Sequence, residues 1–190
     1  MNIGIEIDDV IANKIGYYQE LGESYFGVNM DMKNFLINQK GFDVTPECFE
    51  VFSALFDTAY YNAVNVYSGV VNWIKKAKGA GNSIYIVTSR GFKEDGTSDS
   101  DTRVMTVNWL EKNNIIYDGL FFTQNKIELV RNLGIAFMCE SNPTVISELL
   151  NVTDCDIIAK KQPYNVSSLC MKSFRVRCFR DWSDAITFMW

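Results

Sequence analysis

Histidine is missing altogether from this chain of 190 residues. Its absence excludes Ser-His-Asp and Cys-His machinery, and zinc sites built on imidazole. Proton transfer near neutral pH then falls to a tuned carboxylate, a lysine or a tyrosine. Basic runs are also missing. Eighteen Lys and Arg against 23 Asp and Glu leave a net charge of −5, with no basic stripe to hold a nucleic acid polymer. No segment is apolar over the roughly 18 residues that a membrane span needs, and the N-terminus lacks the basic start and apolar stretch of a signal peptide. The five cysteines, Cys48, Cys139, Cys155, Cys170 and Cys178, contain no Cys-x-x-Cys pair. They are expected as reduced, mostly buried thiols in a cytoplasmic protein.

What is present is a sizeable apolar fraction, 47% of residues, enough for one domain with a modest insertion. Asn2 to Ile11 reads as an apolar, β-branched run interrupted by Glu6, Asp8 and Asp9. Such a run suits a strand buried on both faces. Acids at its C-terminal end are costly unless they meet a cation or the solvent of a cleft. In open α/β sheets that end of the strands is where ligands bind.

Strand-like runs recur at Ser83 to Val87, Leu120 to Phe122, Ala136 to Cys139, Asp156 to Ala159 and Phe174 to Cys178. Helical spacing separates them at Val70 to Ala80, with Ser68 as N-cap, then at Asp101 to Lys112, Lys126 to Leu133 and Thr144 to Leu150. A short terminal helix is expected over Asp184 to Phe188. Alternation of this kind predicts an α/β fold: a Rossmann-like, doubly wound parallel sheet flanked by helices. Residues 12–67 break the pattern. Ile11, Ile15, Tyr18 and Tyr25 suggest one amphipathic helix, and Thr45-Pro46 opens another. This segment is read as a small helical cap inserted after the first strand, leaving 1–11 and 68–190 as the core domain.

Four segments fall at successive strand ends: Glu6-Ile7-Asp8-Asp9, Thr88-Ser89-Arg90, Lys126, and Glu140-Ser141. Together they supply carboxylates, hydroxyls with adjacent amides, and an ammonium. That set suits Mg²⁺ and a phosphate, since Mg²⁺ takes oxygen ligands and bridges to phosphate oxygens. Thr88 and the amides after it can cradle an anion, and Lys126 can neutralise charge on the phosphoryl group or on a carboxylate beside it. Arg90 and Lys93 are candidates to reach substrate, with a surface role as the alternative. The aromatic set Tyr17, Tyr18, Phe26, Phe35, Phe49, Tyr60 and Tyr61 either stacks a flat ligand or forms the core of the inserted helices; the second is the plainer reading. Trp109 and Trp182 read as packing residues. Asp9 reads as a helix N-cap in preference to a metal-site residue.

In their order and spacing these motifs resemble the haloacid dehalogenase superfamily of phosphohydrolases, and more narrowly its 5′(3′)-deoxyribonucleotidase-like branch. Gln162-Pro163-Tyr164-Asn165 and Asp181-Trp182 add to the narrower likeness. The resemblance implies a Mg²⁺-dependent phosphomonoesterase acting on a small phosphorylated metabolite, most readily a nucleoside monophosphate. It implies Glu6 at the nucleophile position, Asp8 as general acid/base, Thr88 with Ser89 and Lys126 on the phosphate, and Glu6, Asp8, Glu140 and Ser141 around the metal. Two positions depart from the pattern: Glu6 stands where the family carries Asp, and Ser141 where close relatives usually carry Asp. The extra methylene of Glu6 moves its carboxylate by about 1 Å, which can cost ~10²-fold in rate. The alternative is therefore a catalytically impaired pseudo-phosphatase that serves as a binding or regulatory module. Nothing in the chain sets an oligomeric state.

Overall fold

The computed structural model describes residues 1–27, 29–31, 44–92, 97, 99–166 and 173–189. Phe35, Lys93 and Cys170 lie outside the described residues, as does the side chain of Phe49.

Six strands form one sheet in the order β3-β2-β1-β4-β5-β6, every neighbouring pair parallel. They are β1 (Asn2–Ile5), β2 (Ser83–Thr88), β3 (Gly119–Phe122), β4 (Ile135–Glu140), β5 (Asp156–Lys160) and β6 (Val176–Phe179). The helices are α1 (Lys14–Phe26), α2 (Pro46–Ala63), α3 (Val70–Gly79), α4 (Ser100–Lys112), α5 (Lys126–Asn132), α6 (Pro143–Val152) and α7 (Trp182–Ala185). A 3₁₀ turn over Ile186–Met189 follows α7. The predicted Rossmann-like α/β architecture is thus observed. Strand order reverses between β1 and β4, and ligand crevices form at such a switch point.

Both faces of the sheet are covered. One core joins Ile3, Ile5, Ile84 and Ile86 to Trp73, Trp109, Phe179 and Trp182; Ile15, Tyr18, Phe52 and Tyr60 of α1 and α2 extend it. The other joins Val87, Met138 and Ile157 to Val130, Ile146 and Leu149 of α5 and α6. Burial on both sides explains the unbroken apolar runs of the central strands.

Among the described residues no strand lies between Ile5 and Ser83, so α1 and α2 enter the chain directly after β1. Thr45 caps α2 as expected, its hydroxyl accepting from Cys48 N at 3.4 Å with Pro46 behind it. Three local readings need correction. The residue that caps α3 is Gly69, not Ser68, because the chain turns there at φ 85 and a Cβ would stand 3.3 Å from Trp182 Cβ. The N-cap of α1 is Asn13, whose Oδ1 accepts from Gly16 N, while Asp9 reaches past it to Ile15 N at 2.7 Å. Finally, Cys48, Cys139 and Cys155 are free thiols, but Cys178 is disulfide-bonded, where reduced thiols were expected throughout; without a Cys-x-x-Cys motif the sequence offers no pairing rule.

Trp109 and Trp182 are packing residues, as read. Each also donates its indole N–H to a buried carbonyl, Trp109 to Val64 O at 2.8 Å and Trp182 to Val10 O at 3.0 Å. Trp182 packs edge-on against Trp73, with ring centres 4.8 Å apart. It thereby ties the C-terminal helix to the turn that follows β1. Replacing Trp182 by Phe removes that donor and leaves a small void. The expected loss is about 1–3 kcal/mol of unfolding free energy, read as a lower urea midpoint at unchanged slope.

Candidate active site

The C-terminal ends of β1, β2 and β4 deliver the predicted acids and Thr88 to one place, and the first residue of α5 delivers Lys126. Glu6 follows β1, its N–H donating to Cys139 O at 3.0 Å, so it remains in register with β4 although the strand proper has ended. Its side chain is 5% exposed and ion-paired to Lys126 Nζ. The same ammonium donates to Glu140 Oε2 at 2.8 Å. One cation therefore bridges two buried carboxylates from adjacent strands. Glu6 Oε1 accepts from Ile7 N at 2.8 Å; Glu140 Oε1 accepts from Ser141 N at 2.9 Å and Asn142 N at 3.0 Å.

Burial raises the Glu6 carboxyl above its ordinary range. Lys126 opposes this, and the neighbouring charges of Glu140 and Asp8 add to it. Burial alone would lower Lys126, but Glu140 and Glu6 outweigh it and hold the ammonium above its usual value.

Asp8 faces a different partner. Its Oδ1 accepts from Arg90 Nε at 2.8 Å, from Arg90 Nη2, and from the Tyr60 hydroxyl. Burial pushes Asp8 up, but Arg90 wins and brings it down to about 2. Arg90 is 4% exposed, lies against the rings of Tyr60, Tyr61 and Trp109 at 5.0, 5.4 and 5.2 Å, and donates from Nη2 to the Tyr60 hydroxyl at 2.9 Å. Tyr60 belongs to α2, so this cluster joins the inserted helices to the ends of β1 and β2.

Thr88 is fully buried at the end of β2, and its hydroxyl accepts from Arg90 N at 3.3 Å. Ser89 is exposed. Ser141 is 3% exposed and belongs to a third cluster. The Tyr164 hydroxyl lies 3.0 Å from Asp9 Oδ2 and 3.1 Å from Ser141 Oγ. Asn165 donates to Ser141 O at 2.7 Å and Lys160 O at 2.9 Å; Gln162 donates to Asp9 O at 2.7 Å. The Gln-Pro-Tyr-Asn segment thus fixes the backbone of the first and fourth motifs against each other. Asp9 sits at φ 59, a conformation that only a tight turn demands of a non-glycine residue. Burial raises its carboxyl to about 6, against the Ile15 amide.

Sequence reasoning found Glu6, Lys126 and Glu140 as a group. It missed Tyr60, treated as core, and the Asp9–Tyr164–Ser141 contacts. The Asp8–Arg90 ion pair also departs from expectation: Asp8 turns to Arg90, where the metal and proton-transfer roles needed it free. A signal for that pair existed, since Arg90 is the residue that follows the Thr88-Ser89 turn.

The donor chemistry fits a hard divalent cation. Glu6, Glu140 and Ser141 offer oxygen ligands of the type Mg²⁺ takes, and the charges of Glu140 and Asp8, which add to the burial that raises Glu6, are what a cation relieves. Among the described residues no three acids or cysteines gather into a ready cage; Ser141 brings a neutral hydroxyl.

No family model and no curated protein matches the chain. Solved structures do. A putative phosphoglycolate phosphatase from Lactobacillus delbrueckii subsp. bulgaricus is 12% identical over 99% of this chain and 97% of its own, with a TM-score of 0.64. A haloacid dehalogenase-like family hydrolase from Xanthomonas campestris is 12% identical over 100% and 95%, at 0.62. A D,D-heptose 1,7-bisphosphate phosphatase from B. bronchiseptica, complexed with magnesium and phosphate, is 9% identical over 99% and 97%, at 0.59.

Two outcomes test the charge arrangement. Lys126→Met leaves Glu6 and Glu140 facing each other unneutralised and should cost about 3–5 kcal/mol of stability in urea unfolding. The Asp8–Arg90 pair should show in pH dependence. Because Asp8 is depressed in the folded state, its stabilisation is present above the unfolded value near 4 and is lost as pH falls through about 2. Asp8→Asn should therefore be less stable than wild type by about 2 kcal/mol at pH 7, with the gap closing between pH 4 and pH 2. The fold on which these groups are mounted is that of the haloacid dehalogenase-type hydrolases.

Proposed function

We propose that the chain is a phosphomonoesterase of the haloacid dehalogenase type, acting with Mg²⁺ on a small phosphate ester. The observation that carries this reading is the Lys126 bridge between Glu6 and Glu140 at the switch point of the sheet. Two buried acids and an ammonium gathered beside the Thr88 turn are the residue types that a phosphoryl site assisted by a divalent cation uses.

In this reading Glu6 attacks phosphorus or orients the group that does. Thr88 with the Ser89 and Arg90 amides holds phosphoryl oxygens, and Lys126 neutralises them. Glu6, Glu140 and Ser141 would hold Mg²⁺, which when bound withdraws charge from the phosphoryl oxygens. Asp8 transfers the proton to the leaving oxygen. A carboxyl near 2 is a poor acid at neutral pH, so Asp8 must first leave Arg90. An incoming anion that takes the guanidinium provides that release. Residues 12–67 act as the cap, with Tyr60 carrying its position to Asp8 and Arg90. A nucleoside monophosphate is the ester suggested by the resemblance. Small size, absence of a basic surface and an acidic net charge suit a metabolite as partner and not a nucleic acid polymer. No described helix is long and apolar enough to cross a membrane.

A second reading has its own support. Asp8 Oδ1 is taken by Arg90 and Tyr60, and by the resemblance Glu6 stands where a shorter acid is expected. Both suit a pseudo-phosphatase that binds without turnover.

Phosphate release with Mg²⁺, measured on wild type, Glu6→Asp and Asp8→Asn, separates the two. The enzyme predicts turnover in wild type and at least a ~10²-fold loss in Asp8→Asn. A silent wild type revived by Glu6→Asp places the defect at the extra methylene. Three inert proteins that still bind inorganic phosphate establish the binding module.

A further inference from the structure

Arg103 is a cation that the described residues leave without an anion. It stands in the first turn of α4, the helix that leaves the end of β2. Its guanidinium lies over two phenyl rings, 4.9 Å from the ring centre of Phe92 and 5.2 Å from that of Phe122. Phe122 ends β3 and pairs in register with Thr88, so the stack adjoins the phosphate turn. Arg103 Nε is buried and has no hydrogen-bond partner. None of the ion pairs among the described residues includes this side chain.

The backbone makes room for this placement. Gly91 sits at φ 79, and a Cβ there would stand 2.5 Å from Arg103 Cγ and 3.0 Å from Arg103 Nε. Any larger residue would push the arginine off its seat. Gly91 also follows Arg90, whose Nη1 is buried and unpartnered in the same way. Two guanidinium groups with unused donors therefore flank the turn that leaves β2, in a chain whose net charge is −5.

Aromatic rings against a guanidinium restrain its plane without using its N–H donors. That edge carries paired N–H donors whose spacing matches a carboxylate or phosphoryl group. A simple solvated arginine does not bury Nε without an acceptor, since water would normally satisfy it.

We infer that the substrate carries a second oxyanion, a carboxylate or a second phosphoryl group, and that the edge of Arg103 binds it beside Phe92 and Phe122. The inference rests on the phosphate-ester reading and narrows it. The scissile phosphoryl group sits at Thr88 and Lys126, and the second anion sits at the mouth of β2 and β3. Phosphate esters with one anionic group, plain nucleoside monophosphates among them, leave Arg103 empty.

Calorimetric titration of the full chain with three non-hydrolysable probes tests this: ethylphosphonate, phosphonoacetate and ethane-1,2-diphosphonate. Wild type should bind phosphonoacetate or the diphosphonate about tenfold more tightly than ethylphosphonate, and the tighter of the two names the second group. In Arg103→Gln that ratio should fall to about one. Arg103→Lys, which keeps the charge and loses the fork, should fall between. Equal affinities in wild type, or a ratio that survives Arg103→Gln, overturn the inference. Phosphonoacetate binding through Arg103 without any ethylphosphonate binding overturns the phosphate-ester reading and leaves the oxyanion site standing. Failure of all three probes overturns both.

Discussion

Carboxylates buried at the ends of parallel strands are the constraint from which the rest follows. Glu6 and Glu140 leave neighbouring strands almost free of solvent, and two such charges side by side are far too costly to stand alone. Lys126 resolves the conflict from the first residue of α5. The backbone amides of Ile7, Ser141 and Asn142 take up the remaining lone pairs. Because the amides are fixed by the turns that follow β1 and β4, the position of the acids and the geometry of those turns support each other. The Gln162–Asn165 segment, which bonds to both turns, completes the frame.

Asp8 shows a different solution to the same problem. It is neutralised by Arg90, which is itself held among three aromatic rings and a tyrosine hydroxyl from α2. Two carboxylates two residues apart therefore have opposite tendencies: burial and crowding raise Glu6, while Arg90 lowers Asp8. Environments that push neighbouring acids apart are a common basis for dividing chemical roles between them. Here the division runs against the simplest scheme, since Asp8, to which the resemblance assigns proton transfer, is the one held ionised. The pair also spans the inserted helices and the sheet, so a change in position of α2 reaches Asp8 through one hydroxyl.

Much of this was legible in the sequence because the signals are local. Alternating apolar runs and helical spacing placed the described strands and the crossover helices between them to within a few residues, and the acids and Lys126 were found because they end strands or open a helix. The misreadings share a physical cause. Tyr60 meets Asp8 across 52 residues and Tyr164 meets Asp9 across 155, and no spacing rule encodes such contacts. Tyr60 in particular lies in a helix rich in aromatic residues, where a ring whose hydroxyl serves the site looks like any other core ring. Gly69 displaced Ser68 as a cap because Trp182, far off in sequence, occupies the space a Cβ needs.

Low identity beside a shared fold has a similar origin. The haloacid dehalogenase-type hydrolases that share this fold agree at about one residue in ten, which is enough because a doubly wound sheet asks only for apolar strands and amphipathic crossovers. What it asks more strictly is that charges gathered at the switch point be balanced. Glu6 meets that demand through Lys126, whose ammonium it shares with Glu140. Charge balance asks only that a carboxylate reach a cation, whereas in-line attack on phosphorus, where a site performs it, asks for placement to within about 1 Å. Folding and chemistry of that kind place unequal limits on one side chain, so the integrity of a fold carries no information about the rate of a reaction.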